Sequence, residues 1–178
     1  MADAMASPGP RGHTPGMRAR RLFLRFDIGT DRYALAASDI VRVLPLTPLK
    51  RLPAAPAWVA GILLYGAEPI PVVDVSALAA SLPAAAHAST RLAVVAYRAT
   101  PDAEVRHLGL LLERAMETVH YDLEAFQPYG LDNRDAPYLG AVLADSHGMV
   151  QCVRVENLLP PQVRERLFQD AKQAGAAP

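Results

Sequence analysis

The stretch GILLYGAEPIPVVDVSAL, Gly61 to Leu78, decides how the chain folds. Its centre is rich in Ile and Val, as a strand should be, yet Pro69 and Pro71 stand two apart inside it. Each proline removes one ladder N–H, so a strand with two neighbours along its whole length would not tolerate the pair. Residues two apart in a strand aim their N–H groups to the same side. Pro69 and Pro71 therefore strip donors from one edge, while Ile70 and Val72 keep theirs on the other. The strand pairs fully on one side, resists pairing on the second, and is expected at the margin of a sheet. Two uses fit such an edge: protection against aggregation, or a barrel edge reserved for a partner that docks by side-chain contact.

Working outward, the chain reads as short strands punctuated by Gly and Pro. Upstream, RLFLRFDIGTDRYALAA carries two apolar runs about Gly29-Thr30, with Asp27 and Asp31 beside the turn, which is hairpin chemistry. In SDIVRVLPL, Ser38 offers an N-cap, Ile40, Val41 and Leu44 follow at helical spacing, and Pro45 stops the turn. LKRL is a short extended piece, and Pro56 opens a single helical turn carrying Trp58 and Val59. Downstream, Asp74 caps a short helix over DVSALAASL, and PAAAHAST reads as a linker. RLAVVAY and HLGLLL are strands about a polar loop from Arg98 to Arg106, and AMETVHY continues as another. YLGAVLA and GMVQCVRV form a hairpin about Asp145-Ser146-His147-Gly148. In PPQVRERLFQDAKQ, Pro161 suits a first helical turn, and Val163, Leu167 and Ala171 share one face.

Eight to ten short strands with a few helical turns predict an all-β fold of two small barrels and a C-terminal helix. The linker at 83–90 is the expected boundary between barrels with hydrophobic centres. Residues 1–19 read as a disordered tail, with Met5 and Met17 as further possible translation starts, 20–160 as the folded domain, and 161–178 as the helix and its end. Strand and helix do not alternate, which excludes a doubly wound nucleotide-binding fold.

Composition narrows the function. The 178 residues are 51% hydrophobic, enough for a real core, and 18 basic residues balance 18 acidic ones, so no global field draws nucleic acid or an anionic membrane. Aromatics make up only 6%, too few for a base-stacking platform. No apolar run reaches the length of a membrane span, and the N-terminus lacks a signal peptide's apolar centre, so a soluble, cytoplasmic protein is expected.

Chemistry is hard to assemble from these residues. Cys152, the single cysteine, has apolar flanks and reads as a small buried hydrophobe. His13, His87, His107, His120 and His147 have no zinc-type spacing, although His107 and His120 bracket adjacent strands. Glu113, Arg114 and Glu117 read as a solvated turn with a salt bridge, and Asp132-Asn133 as a turn. There is no nucleophile elbow, phosphate loop or dinucleotide fingerprint. No catalytic residue, cofactor or metal is expected; the sequence argues for binding.

Four segments in order resemble the CheW-like chemotaxis coupling family: RYALAASDIVRVLPL, APAWVAGILLYGAEPIPVVDV, LGLLLERAMETV and YLGAVL…GMVQCVRVENLL. The likeness spans about Leu22 to Leu159, and LPLTPLKRLPAAPAWVAG with LGLLLERAMETV looks most like the Wsp-type branch, which serves a pathway controlling a diguanylate cyclase. The resemblance implies two five-stranded SH3-like barrels side by side. It implies a non-catalytic adaptor between the cytoplasmic tip of a methyl-accepting chemoreceptor and the regulatory domain of a CheA-type histidine kinase. It also implies no nucleic acid and no membrane insertion, with membrane arrays reached through partners. By the family's pattern Ile40, Val43, Gly61, Tyr65, Gly66, Ala67, Gly109 and Thr118 fall at or near partner contacts. Three departures stand out: Gly66-Ala67 replaces an Arg-Gly pair tied to partner binding, Glu113 replaces an aspartate, and Arg154 reverses the charge of another aspartate. Other readings are an adaptor of a motility system, or a small-barrel module for another kinase or for nucleic acid. A nucleic-acid reader should show a basic face with aromatics, and these strands show neither.

Overall fold

The computed structural model describes residues 19–130 and 134–173, with side chains through Phe168. The N-terminal tail, Asp132-Asn133, the face position Ala171 and the last five residues lie outside what is described there. Among the described residues nine strands form: β1 Arg20–Ile28, β2 Asp31–Ala36, β3 Ile40–Pro45, β4 Val59–Tyr65, β5 Glu68–Asp74, β6 Arg91–Tyr97, β7 Arg106–Asp122, β8 Leu139–Asp145 and β9 Gly148–Val153. Two helices accompany them, α1 Val75–Ala80 and α2 Pro161–Gln173.

The strands make two SH3-like barrels that share β7. Residues 106–112 of β7 pair with β6, which pairs with β3, while β5 joins β7 and β4. A backbone bridge from Lys50, just past β3, to Ile62 links the ends of this first barrel. From Glu113 onward β7 pairs instead with β1, followed by β2, β9 and β8, and a bridge from Gln127 to Val142 links the ends of the second. At the handover Arg114 takes φ +50°, the kink that redirects the strand. Its ion pair with Asp27 (3.3 Å), the Arg25–Glu117 pair, and the bond from Ser76 Oγ to Glu113 (2.8 Å) all lie about this kink. The solvated turn expected at Glu113–Glu117 is thus the bend of one long strand.

The boundary expected at 83–90 is also corrected. β1 and β2 precede that segment but pair with β7 and β9 beyond it, so the barrels are not successive halves of the chain. The segment only carries α1 into β6. It is tied down by Asp74, whose carboxylate accepts from the N–H groups of Ala77 (3.0 Å), capping α1 as expected, and of Ala84 (2.8 Å).

Shared strands explain the continuous apolar runs in RLAVVAY and HLGLLL. Leu92, Val94 and Leu111 fill the first barrel, while Ala93, Val95, Leu108, Leu110 and Leu112 face the opposite way. These meet Leu24, Phe26, Leu35 and Val153 in a core lying between the barrels, larger than either barrel's centre. Both faces of β6 and of residues 108–112 of β7 are buried, so neither run shows polar alternation. Leu167 and Phe168 of α2 pack on this central core, Phe168 stacking on Tyr97 at 5.7 Å.

The reading SDIVRVLPL as a helical turn is overturned. Only Ala37–Asp39 make a 3-10 turn, without a side-chain cap, and Ile40 to Pro45 form β3. β-branched Ile40, Val41 and Val43 favour a strand, and pairing with β6 supplies the hydrogen bonds a lone turn would lack. The proline argument holds for half of β5. Ile62 exchanges both backbone bonds with Lys50 (2.8 and 3.0 Å), so Pro71 opposite it sits in a non-hydrogen-bonded pair and its missing N–H faces away from β4. β7 pairs with that outer edge only from Val72 onward. β5 is marginal along Glu68–Pro71 and internal after it.

In the second barrel, the β8–β9 tip is pinned by Asp145. Its carboxylate accepts from the His147 N–H (2.7 Å) and the Tyr121 hydroxyl (3.1 Å), with Arg32 at 3.9 Å. Burial opposes ionisation here, but these bonds and the nearby His147 and Arg32 charges outweigh it and hold the carboxyl below its usual value. A carboxyl depressed in the folded state contributes stability above its unfolded pKa of about 4, lost as pH falls through the lower folded value. Urea unfolding followed below about pH 5 should show this loss in the wild type, and Asp145→Asn should flatten the slope over that window.

Candidate interaction surface

Barrel one presents its apolar side chains unevenly. Val41 and Val43 on β3 are 47% and 42% exposed, Leu46 just beyond is 40% exposed, and Leu64 on β4 is 69% exposed. Arg42 stands between the valines, and Lys50 and Arg51 follow, all exposed. Beneath them Leu44, Leu49 and Tyr65 pack on the same buried cluster of Leu63, Ile70, Val72 and Leu92. The end of β3, the segment leaving it and the β4–β5 hairpin therefore share one support, and the exposed residues stand on a rigid base.

The hairpin itself is held from the side. It turns through Gly66 and Ala67, glycine first at φ +63°, as in the II′ turns that match strand twist. Tyr65 meets the His107 ring edge-on at 5.5 Å, and His107 Nδ1 lies 2.7 Å from Glu68 Oε2. This clasp ties the hairpin to the start of β7. His107 pairs with Ala96 in one barrel, whereas His120 lies opposite Leu22 in the other, so the two histidines are not brought together.

The eight positions singled out in the sequence fall in three places. Gly61, Tyr65, Gly66 and Ala67 belong to the hairpin, Ile40 and Val43 to β3, and Gly109 and Thr118 to opposite halves of β7. Val43, Gly66 and Ala67 are exposed, and Tyr65 is half-buried. Ile40 is half-buried against the core between the barrels and lies opposite Val95. Thr118 is exposed on barrel two, opposite Leu24, with Met116 (59% exposed) two residues before it. Two glycines have local reasons of their own. A Cβ on Gly61 would lie 2.5 Å from the Lys50 carbonyl, at the bridge that links the ends of barrel one. A Cβ on Gly109 would lie 2.8 Å from Val72 Cγ2, where β5 and β7 run parallel. Leu64, Leu46 and the His107–Glu68 clasp were not singled out. Leu64 shows no sequence signal, because ILL reads as core until the strand's facing is known.

Residues 22–162 match the CheW-like domain family. The chain belongs to that family. Among solved structures, the scaffolding protein TtCheW of Thermoanaerobacter tengcongensis is similar, with a TM-score of 0.71 over 86% of this chain and 96% of that one. At 16% identity the likeness concerns the fold. No curated protein sequence matches. The CheW-like domain thus accounts for the paired barrels. Among the described residues no group of three or more His, Cys, Asp or Glu could hold a metal ion.

Gly109→Ala serves as the structural control for this surface. The added methyl must displace Val72 in a packed layer, which costs typically about 1–3 kcal/mol. The urea midpoint should drop by that amount with the slope unchanged, and partner affinity of the folded fraction should stay at the wild-type value.

Proposed function

We propose that the protein is a non-catalytic adaptor that couples a methyl-accepting chemoreceptor to a CheA-type histidine kinase. The observation that carries this reading is the exposed apolar set Val41, Val43, Leu46 and Leu64, mounted on the clasped hairpin and β3 of a CheW-like domain. A scaffold works by holding partners in fixed geometry, and rigid apolar centres with polar rims are what protein interfaces use. Membership of the family and the fold shared with a scaffolding protein support it. With Gly66-Ala67 at the hairpin turn, the positive charge of this face comes from Arg42, Lys50 and Arg51, for which no ion pair is found among the described residues.

Ile40 is a poor probe of this surface, since a charge there would also disturb the central core. Val43→Asp and Leu64→Asp are better, because both side chains already meet solvent. Each should leave stability within about 0.5 kcal/mol of wild type and weaken binding to the kinase regulatory domain or the receptor tip at least about tenfold. Calorimetric titration against both partners checks this; unchanged affinity for both, in folded variants, removes the surface from the coupling role.

The finer reading is a Wsp-type pathway that controls cyclic-di-GMP synthesis, supported by LPLTPLKRLPAAPAWVAG and LGLLLERAMETV. Deleting the chain should abolish stimulus-dependent changes in cyclic-di-GMP while leaving swimming bias intact. The reverse result assigns the adaptor to motility.

A further inference from the structure

The centre of barrel two is not sealed. A groove of about 870 Å3 opens into it, walled by Phe23, Leu123, Phe126 and Leu139, with Cys152 and Arg154 also lining it. Its volume lies within the range of small-molecule sites, roughly 300–1,000 Å3. Among the described lining residues Arg154 is the one that carries a charge, and none is a carboxylate. The guanidinium is exposed, has no ion pair within 4 Å among the described residues, and makes one long bond to the Leu139 carbonyl (3.4 Å). Burial, and after it the charges of Asp39 and Glu156, raise the Cys152 thiol above its usual value, but neither carboxylate lines the groove.

The backbone of the walls indicates what kind of ligand fits. Val142 exchanges both its bonds with Gln127, the Leu139 N–H goes to Ala136, and the Gly140 carbonyl accepts from Gln151. A peptide adding itself as a strand would find these groups of β8 already paired, so strand addition there would leave several of its own N–H and C=O groups without partners. What remains is an apolar trough with one cation at its edge that has no ion pair among the described residues.

We propose that this groove binds a single-tailed amphiphile ending in a carboxylate, the tail lying among Phe23, Phe126 and Leu139 and the carboxylate meeting Arg154. Arg154 then has a use on barrel two, away from the hairpin surface.

Cys152 is the only cysteine in the chain and lines the groove, so occupancy can be read from its alkylation. The full chain is titrated with octanoate, decanoate and decyltrimethylammonium below their micellar concentrations, by calorimetry and by the rate of N-ethylmaleimide modification. Decanoate should slow alkylation, and each added methylene should tighten binding about fourfold, the factor equivalent to ~0.8 kcal/mol per buried CH2. Arg154→Gln should weaken decanoate about tenfold or more and leave decyltrimethylammonium no weaker. Ala141→Phe, which narrows the groove, should remove protection in a protein of unchanged circular dichroism. An unchanged alkylation rate at the highest sub-micellar decanoate overturns the proposal. So does equal protection by decanoate and decyltrimethylammonium in both the wild type and Arg154→Gln. Neither receptor nor kinase is in the assay, so this result stands apart from that of the coupling function.

Discussion

Strand β7 is the constraint on which the rest depends. Its first seven residues complete one barrel and the remainder completes the other, with the kink at Arg114 between them. A strand shared in this way cannot leave one barrel without opening the second. The apolar face it turns outward from barrel one must therefore be covered, and the central core of Leu24, Phe26, Leu108, Leu110 and Val153 does so. Both barrels become parts of one cooperative unit, which suits the adaptor role proposed above.

Barrel one gains its exposed surface from how it closes. The Lys50–Ile62 bridge needs a residue without a Cβ at Gly61, and the two prolines keep the outer edge of β5 free of a strand partner up to Pro71. Side chains on this barrel can then face a partner while the backbone edge stays unavailable for strand exchange. The clasp of His107, Glu68 and Tyr65 fixes the hairpin against β7, so the apolar residues meet a partner already ordered and lose little conformational entropy on binding.

Barrel two is built differently. Its hairpin tip is fastened by the Asp145 network, yet its centre opens to solvent between Phe126 and β8. Its smaller core, Phe23, Ala34, Tyr121 and Val150, leaves space that neighbouring side chains do not fill. The two halves of one fold thus offer unlike faces, one of exposed apolar side chains on a clasped hairpin and β3, one a groove lined in part by Arg154.

The sequence by itself determined most strand positions (not β3), most turns, the Asp74 cap, the terminal helix and the one-sided loss of donors at Pro69 and Pro71. These follow from local chemistry: proline's missing N–H, glycine at turns, β-branched runs. Order and spacing of motifs carried the family as well. The tertiary structure alone decided which strands pair, that β7 serves both barrels, and that the largest core lies between them. It also decided that Ile40 belongs to a strand, since capped-turn spacing and strand alternation overlap within six residues and only pairing with β6 separates them. Exposure at Leu64 and the groove beside Arg154 were equally hidden. An apolar residue in a short strand reads as core until the sheet's curvature fixes which way it faces, and that curvature is set by contacts far apart in the chain.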